Sequence, residues 1–331
     1  MIPVYRPGGQ HHDKASSYFP GLDPEANAST PIDHTNRCAG FPNLDDILIV
    51  IKTGATEAFE KVPIQFLTFL QCVEDKALVF SDMEQDLGPH HVYDALEDVT
   101  EETTKDNPDF DLYRIQQEYK KEGIEVGRTL HGAKADDAWN LDKYKNVRVA
   151  KKAYELRPNA SWYVFIDADT YVVWSSLLPW LAQLDAAKSL YMGSLALIND
   201  IPFAHGGSGY VLSAKAMENF IGKNPGVAAE FDIRAKHECC GDVNLAIALS
   251  EKKVAKLSQV WPMINGEKPR TLPFGPSHWC EPIVTMHHVT VEEVNELWWY
   301  EQRRPDPSVR APNERLMYAL RLMLVTCRNP S

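Results

Sequence analysis

The chain has 331 residues, enough to bury a large core as one big domain or two modest ones. Its hydrophobic share of 44% and charged share of 24% are those of an ordinary globular protein. The balance of 34 basic against 46 acidic residues leaves a net charge of −12, which repels phosphate backbones and anionic membrane surfaces and argues against nucleic acid as a partner. No apolar run approaches the roughly 18 residues of a membrane span and the N-terminus begins no signal peptide, so the chain as read is expected to be soluble.

Residues 1–40 are rich in Pro, Gly, His, Asp and Ser without periodicity and read as a flexible arm or stem. Order begins at Asp46–Lys52, a buried-type strand running into Thr53-Gly54. A helical stretch follows to about Cys72, then a short strand Ala77–Phe80 ending at Ser81-Asp82. Strand, helix and strand with polar residues at both strand ends suggest a nucleotide-binding βαβ half, although no Gly-rich phosphate loop accompanies it.

Residues 83–107 are acidic and turn-rich and read as a surface excursion, followed by a helix from Pro108 to Glu122 that breaks at Gly123. Trp139–Leu156 has helical spacing interleaved with Lys143, Lys145, Arg148, Lys151 and Lys152. For most of these a solvated face is the expected role, with Lys145 the candidate for reaching a diphosphate.

The stretch Trp162–Val173 is the centre of the chain. A run of aromatic and β-branched residues ends in Asp167-Ala168-Asp169, and side chains two apart on a strand face the same way. Two carboxylates at a strand's carboxyl end repel each other unless a cation sits between them, so either a divalent metal or a helix cap is their expected use.

Further on, Tyr191–Ser194 reads as a strand, and the glycines of His205-Gly206-Gly207-Ser208-Gly209 let backbone approach a ligand closely. Ser213 is placed to cap the next helix, and Asp242 falls in the first turn of the helix that follows Cys239-Cys240, where capping competes with catalysis. Ile283–Val289 has strand character. Alternation would let only one of His287 and His288 face a site shared with the carboxylates. Thr290 to Glu293 opens a helix as a capping box leading to Trp298-Trp299-Tyr300, and residues 303–331 read as a Pro-rich segment and a last helix.

Six cysteines lack the CxxC spacing of zinc sites, and the adjacent Cys239 and Cys240 are each expected to pair with a distant partner rather than with one another. Sequons at Asn27 and Asn159 permit glycosylation. Six buried free thiols remain the alternative to disulfides.

Taken together, Asp46–Gly54, Trp162–Val173, His205–Ser213, Gly241-Asp242-Val243-Asn244-Leu245, Trp279-Cys280 and Val284–Val289 resemble the Fringe-like inverting glycosyltransferases. Within glycosyltransferase family 31 they look most like the core 1 β1,3-galactosyltransferase branch of filamentous-fungal type. The resemblance implies an α/β GT-A fold, a Rossmann-like mixed central sheet flanked by helices, over residues 41–302, with a UDP-sugar donor and Mn²⁺. It implies that Asp169 and His287 hold the metal. Asp167 would lie toward the ribose and the metal's water shell, and Thr53, Gly54 and Asp82 would form the uracil and ribose pocket. Gly206 and Gly207 would lie against the donor sugar, and Asp242 would be the catalytic base.

Family members carry a third carboxylate where this chain has Ala168, and Glu where it has Gly241. The implied acceptor is a glycan or glycoprotein, and a homodimer is allowed. The implied location is the Golgi lumen, behind an N-terminal anchor that this sequence does not show, or outside the cell. A lectin-like binder on the same fold and a nucleotide-sugar hydrolase are the competing functions.

Overall fold

A computed structural model describes residues 44, 46–130, 135–272 and 281–302. The arm at 1–40, the segment 303–331, Asn27 and Trp279-Cys280 lie outside the described residues.

Consecutive β-branched and aromatic residues put two strands at the centre of the sheet. β1 (Ile47–Lys52) and the later Trp162–Asp167 strand are buried along nearly their whole length. In chain order the others before the centre are β2 (Ala77–Ser81), β3 (Gln85–Leu87) and β4 (His90–Asp94). The central strand is β5 (Trp162–Asp167), followed by β6 (Tyr171–Val172), β7 (Tyr191–Gly193), β8 (Leu195–Ile198), β9 (Ile201–Ala204) and β10 (Tyr210–Ser213). β11 (Leu257–Gln259) and β12 (Thr285–Met286) complete the set.

Eight of them form one mixed sheet in the order β11-β7-β10-β5-β1-β2-β4-β3. β1 runs parallel to both β2 and β5, whereas β10 runs antiparallel to β5. Two small ladders, β12 with β6 and β8 with β9, stand off it.

The registers decide what meets at the carboxyl edge. Lys52 is level with Asp167 across β1 and β5. Because β10 is antiparallel to β5, the Gly206–Gly209 turn that precedes it arrives at the same edge. Met286 pairs with Tyr171, so the chain leaving β12 delivers His287 beside Asp169.

The structure departs from several sequence expectations. The 83–107 excursion contains β3 and β4, which extend the sheet beyond β2. The basic stretch is two helices, Ala135–Asp142 and Lys145–Leu156, and its cations are not a solvated face. Lys143, Lys145 and Arg148 are buried, and Lys143 pairs with Asp109, Arg148 with Asp232 and Asp98, and Lys152 with Glu97. Ser213 does cap its helix, accepting the Ala216 N–H, and Thr290 and Glu293 form the reciprocal capping box. None of the described helices is long and apolar enough to cross a membrane.

Candidate active site

A cleft of about 680 Å³ opens at this edge. Asp169 sits just past β5, and its Oδ1 lies 3.2 Å from His287 Nε2. Its Oδ2 lies 3.2 Å from Lys61 Nζ and 3.7 Å from His288 Nδ1. Both histidines therefore reach the carboxylate, against the expectation that only one would. The regular strand ends at Met286, and His288 takes a φ of 54°, which turns its ring back onto that of His287 with centroids 3.7 Å apart. Burial opposes the charge of Asp169, but the His287 hydrogen bond and the nearby cations outweigh it and hold the carboxyl well below the usual range.

The donor set of one carboxylate oxygen and two imidazole nitrogens lies within 4.8 Å of one another. His287 Nδ1 is buried with no hydrogen-bond partner, and the ring is packed against Gly207 so closely that a Cβ there would overlap it. A mixed oxygen and nitrogen set of this kind fits a divalent transition ion such as Mn²⁺.

Asp167 lines the same cleft but is held by a different partner. Lys52 Nζ lies 3.3 Å from its Oδ1 and 2.6 Å from Asp142 Oδ2, so an ammonium bridges the two carboxylates. Burial nonetheless pushes the Asp167 carboxyl up from its ordinary value, while burial of Lys52 is outweighed by Asp142 and Asp167 and its ammonium is held charged. Ala168, between the two acids, is buried away from the cleft, and its carbonyl accepts a hydrogen bond from Gln65 Nε2.

Asp242 opens the helix Gly241–Glu251. Its Oδ2 accepts the Gly206 N–H at 2.9 Å and its Oδ1 accepts the Val243 N–H at 2.9 Å, so it lies in the first turn of the helix, without capping it, and lines the cleft. The glycine turn is pinned from below. Thr170 Oγ1 donates to the Gly207 carbonyl and Thr285 Oγ1 to the Ser208 carbonyl, each at 2.7 Å, and Gly209 has a φ of 85° that favours glycine.

Thr53 and Gly54 line the cleft. Asp82 does not. It is fully buried, accepting the Ala55 N–H at 2.6 Å and the Gln116 amide at 3.1 Å, and so shapes the turn after β1 from behind. Lys145 lines the cleft, but its Nζ is engaged by the Thr53 carbonyl at 3.0 Å and by Asp142 at 3.4 Å. Cys239 and Cys240 are bonded to each other, overturning the expectation of distant partners, and Cys240 also faces the cleft. Gly241, where Glu was the resemblance's expectation, abuts Asn146, and a Cβ there would lie 2.6 Å from Asn146 Oδ1.

The sequence reading missed Lys52, Lys61, Asp142, His205 and His288. Lys52 could have been found from its place at the end of β1. His205 could have been found as the residue leading into the glycines, where its Nδ1 contacts Ser208 Oγ at 2.8 Å.

No curated protein matches the sequence. Among solved structures, one described as a glycosyltransferase involved in the glycosylation of the major capsid of PBCV-1 is similar at 12% identity and a TM-score of 0.33, covering 75% of this chain and 98% of that one. That likeness is too distant to carry residue roles. A family model described as Fringe-like matches residues 42–259, from just before β1 to the end of β11 and so across the entire eight-stranded sheet. By that match the chain belongs to the Fringe-like family, a family of glycosyltransferases, and its central sheet is the mixed, helix-flanked α/β sheet expected from the sequence.

Proposed function

We propose that this chain is an inverting, Mn²⁺-dependent β1,3-glycosyltransferase of the core 1 β1,3-galactosyltransferase branch, moving a hexose, galactose in the first instance, from a UDP-sugar to a glycan or glycoprotein acceptor. One observation carries the reading. The dipeptide Gly206-Gly207 touches both halves of the chemistry, its first residue holding Asp242 through the backbone N–H and its second packed on the His287 ring.

Inversion by single displacement needs one base near the incoming hydroxyl. Asp242 takes the hydroxyl proton as the acceptor oxygen bonds to the anomeric carbon and the bond to UDP breaks. Two backbone N–H bonds fix its orientation, and each oxygen keeps a lone pair for the substrate. Asp169, His287 and His288 would hold Mn²⁺, which when bound supplies Lewis-acid neutralisation of the diphosphate's charge. Asp167, oriented by Lys52, offers an acceptor toward the ribose, and Thr53 and Gly54 line the nucleotide side of the cleft. Fringe-like glycosyltransferases are secretory-pathway proteins, and the Cys239–Cys240 bond suits that oxidising setting. A Golgi-lumen or secreted location follows from the reading.

The test is to incubate the protein with a UDP-sugar panel and Mn²⁺, with and without acceptor sugars, and to measure free UDP. Acceptor-dependent release supports transfer, acceptor-independent release a hydrolase, and no release a lectin-like binder. Asp242→Asn is expected to keep UDP binding and lose about 10²- to 10⁴-fold in turnover. Undiminished turnover would move the base elsewhere.

A further inference from the structure

Among the cleft lysines in the described residues, one stands apart. Lys52 is fixed between Asp142 and Asp167, Lys143 is held by Asp109, and Lys145 is buried against Thr53 and Asp142. Lys61 is the more accessible. It lies on the helix Ala58–Leu67, its side chain is 29% exposed, and it lines the cleft. Its Nζ sits 3.2 Å from Asp169 Oδ2 and 2.8 Å from Glu57 Oε2 one helical turn away.

The two oxygens of Asp169 are therefore differently used. Oδ1 faces His287, while Oδ2, the oxygen nearer His288, already carries an ammonium. A divalent cation drawn to the same carboxylate would meet that ammonium at close range, and like charges a few ångströms apart repel strongly outside bulk water.

We infer that Lys61 is a built-in counter-ion of this site, holding Asp169 Oδ2 when no metal is bound and turning to the diphosphate of the sugar nucleotide when a divalent cation takes its place. The inference rests on the function proposed above. A lysine suits the exchange, because its ammonium is a point charge on a flexible four-carbon stem. Glu57 keeps a hold on it in both positions. Asp169 stays neutralised throughout, and the metal and the diphosphate become thermodynamically coupled. Metal alone must displace an ion pair, whereas metal arriving with a diphosphate leaves the displaced ammonium a new anionic partner. Coupling of this kind is reciprocal, so each ligand tightens the other.

The experiment is a Mn²⁺ titration of the full chain by calorimetry without nucleotide, then a UDP titration at saturating Mn²⁺, on the wild type, Lys61→Met and Lys61→Gln. Both variants are expected to bind Mn²⁺ alone about fivefold or more tightly than the wild type, and UDP in its presence about tenfold more weakly, so that the synergy between the two ligands falls toward none. Lys61→Arg, which keeps the charge, is expected to recover most of the UDP affinity. A purely structural lysine would weaken both ligands together when removed. Unchanged or weaker Mn²⁺ binding in Lys61→Met and Lys61→Gln, or undiminished UDP binding, overturns the inference alone, provided the wild type binds Mn²⁺. A wild type that binds no Mn²⁺ overturns both this inference and the proposed function.

Discussion

Gly207 lies flat against the imidazole of His287, and a Cβ on that glycine would fall 2.7 Å from His287 Nδ1 and closer still to its neighbouring ring atoms. The missing side chain is what gives the histidine room to face Asp169. Gly207→Ala is expected to push the ring out of line while leaving the sheet intact. Displacing a ligand in this way typically weakens a metal site by about 10- to 100-fold. A Mn²⁺ titration beside far-ultraviolet circular dichroism checks it, and wild-type affinity in a folded Gly207→Ala would contradict the packing.

Gly241 is held to glycine by space. A Cβ there would lie 2.6 Å from Oδ1 of the buried Asn146 and 3.0 Å from the Asp142 carbonyl, at the start of the helix that carries Asp242. Overpacking of this kind costs about 1–3 kcal/mol. Gly241→Ala is expected to lower the Tm by several degrees, and Gly241→Glu, the residue the family resemblance leads one to expect, to lower it further without raising turnover. Thermal unfolding of the two variants tests this, and an unchanged Tm for both would show that Asn146 gives way.

Tyr171 donates its hydroxyl to Glu301 on the helix Val291–Gln302. Burial pushes the Glu301 carboxyl up to about 7 from its ordinary 4.5, more than the hydrogen bonds from Tyr171 and Ser175 pull it down. The folded chain therefore holds this proton more tightly than the unfolded chain. The resulting stability is fully present below the unfolded value and is lost as pH rises through about 7. The wild type is expected to lose more Tm between about pH 5 and pH 8 than Glu301→Gln, which keeps a neutral side chain throughout. Equal losses in the two proteins would remove Glu301 from the account.

The sequence exposed the parts of the molecule that repeat a simple pattern. β1 and β5 are unbroken apolar runs ending in polar residues, so both their place in the sheet and the carboxylates at its edge could be read directly. Helix starts with local chemistry, such as Ser213 and Thr290, were legible for the same reason.

What pattern could not show was long-range pairing. β4, with His90 and His91, has too little apolar periodicity to announce a strand, and it exists because β2 offers it an edge. Arg148 reads as one more solvated cation until Asp232, distant in sequence, is brought against it. Strand alternation left room at the site for only one of His287 and His288, a limit that the left-handed backbone at His288 undoes. The Cys239–Cys240 bond defied the ordinary preference for separated partners.

The proposed activity requires that Asp169 and its two histidines hold a cation for the nucleotide. Calorimetric UDP binding, measured for the wild type and Asp169→Asn in Mn²⁺ and again in EDTA, tests it most directly. The wild type is expected to bind UDP in Mn²⁺, EDTA to abolish that binding, and Asp169→Asn to lack it in either condition. UDP binding of equal strength in all four measurements would contradict it.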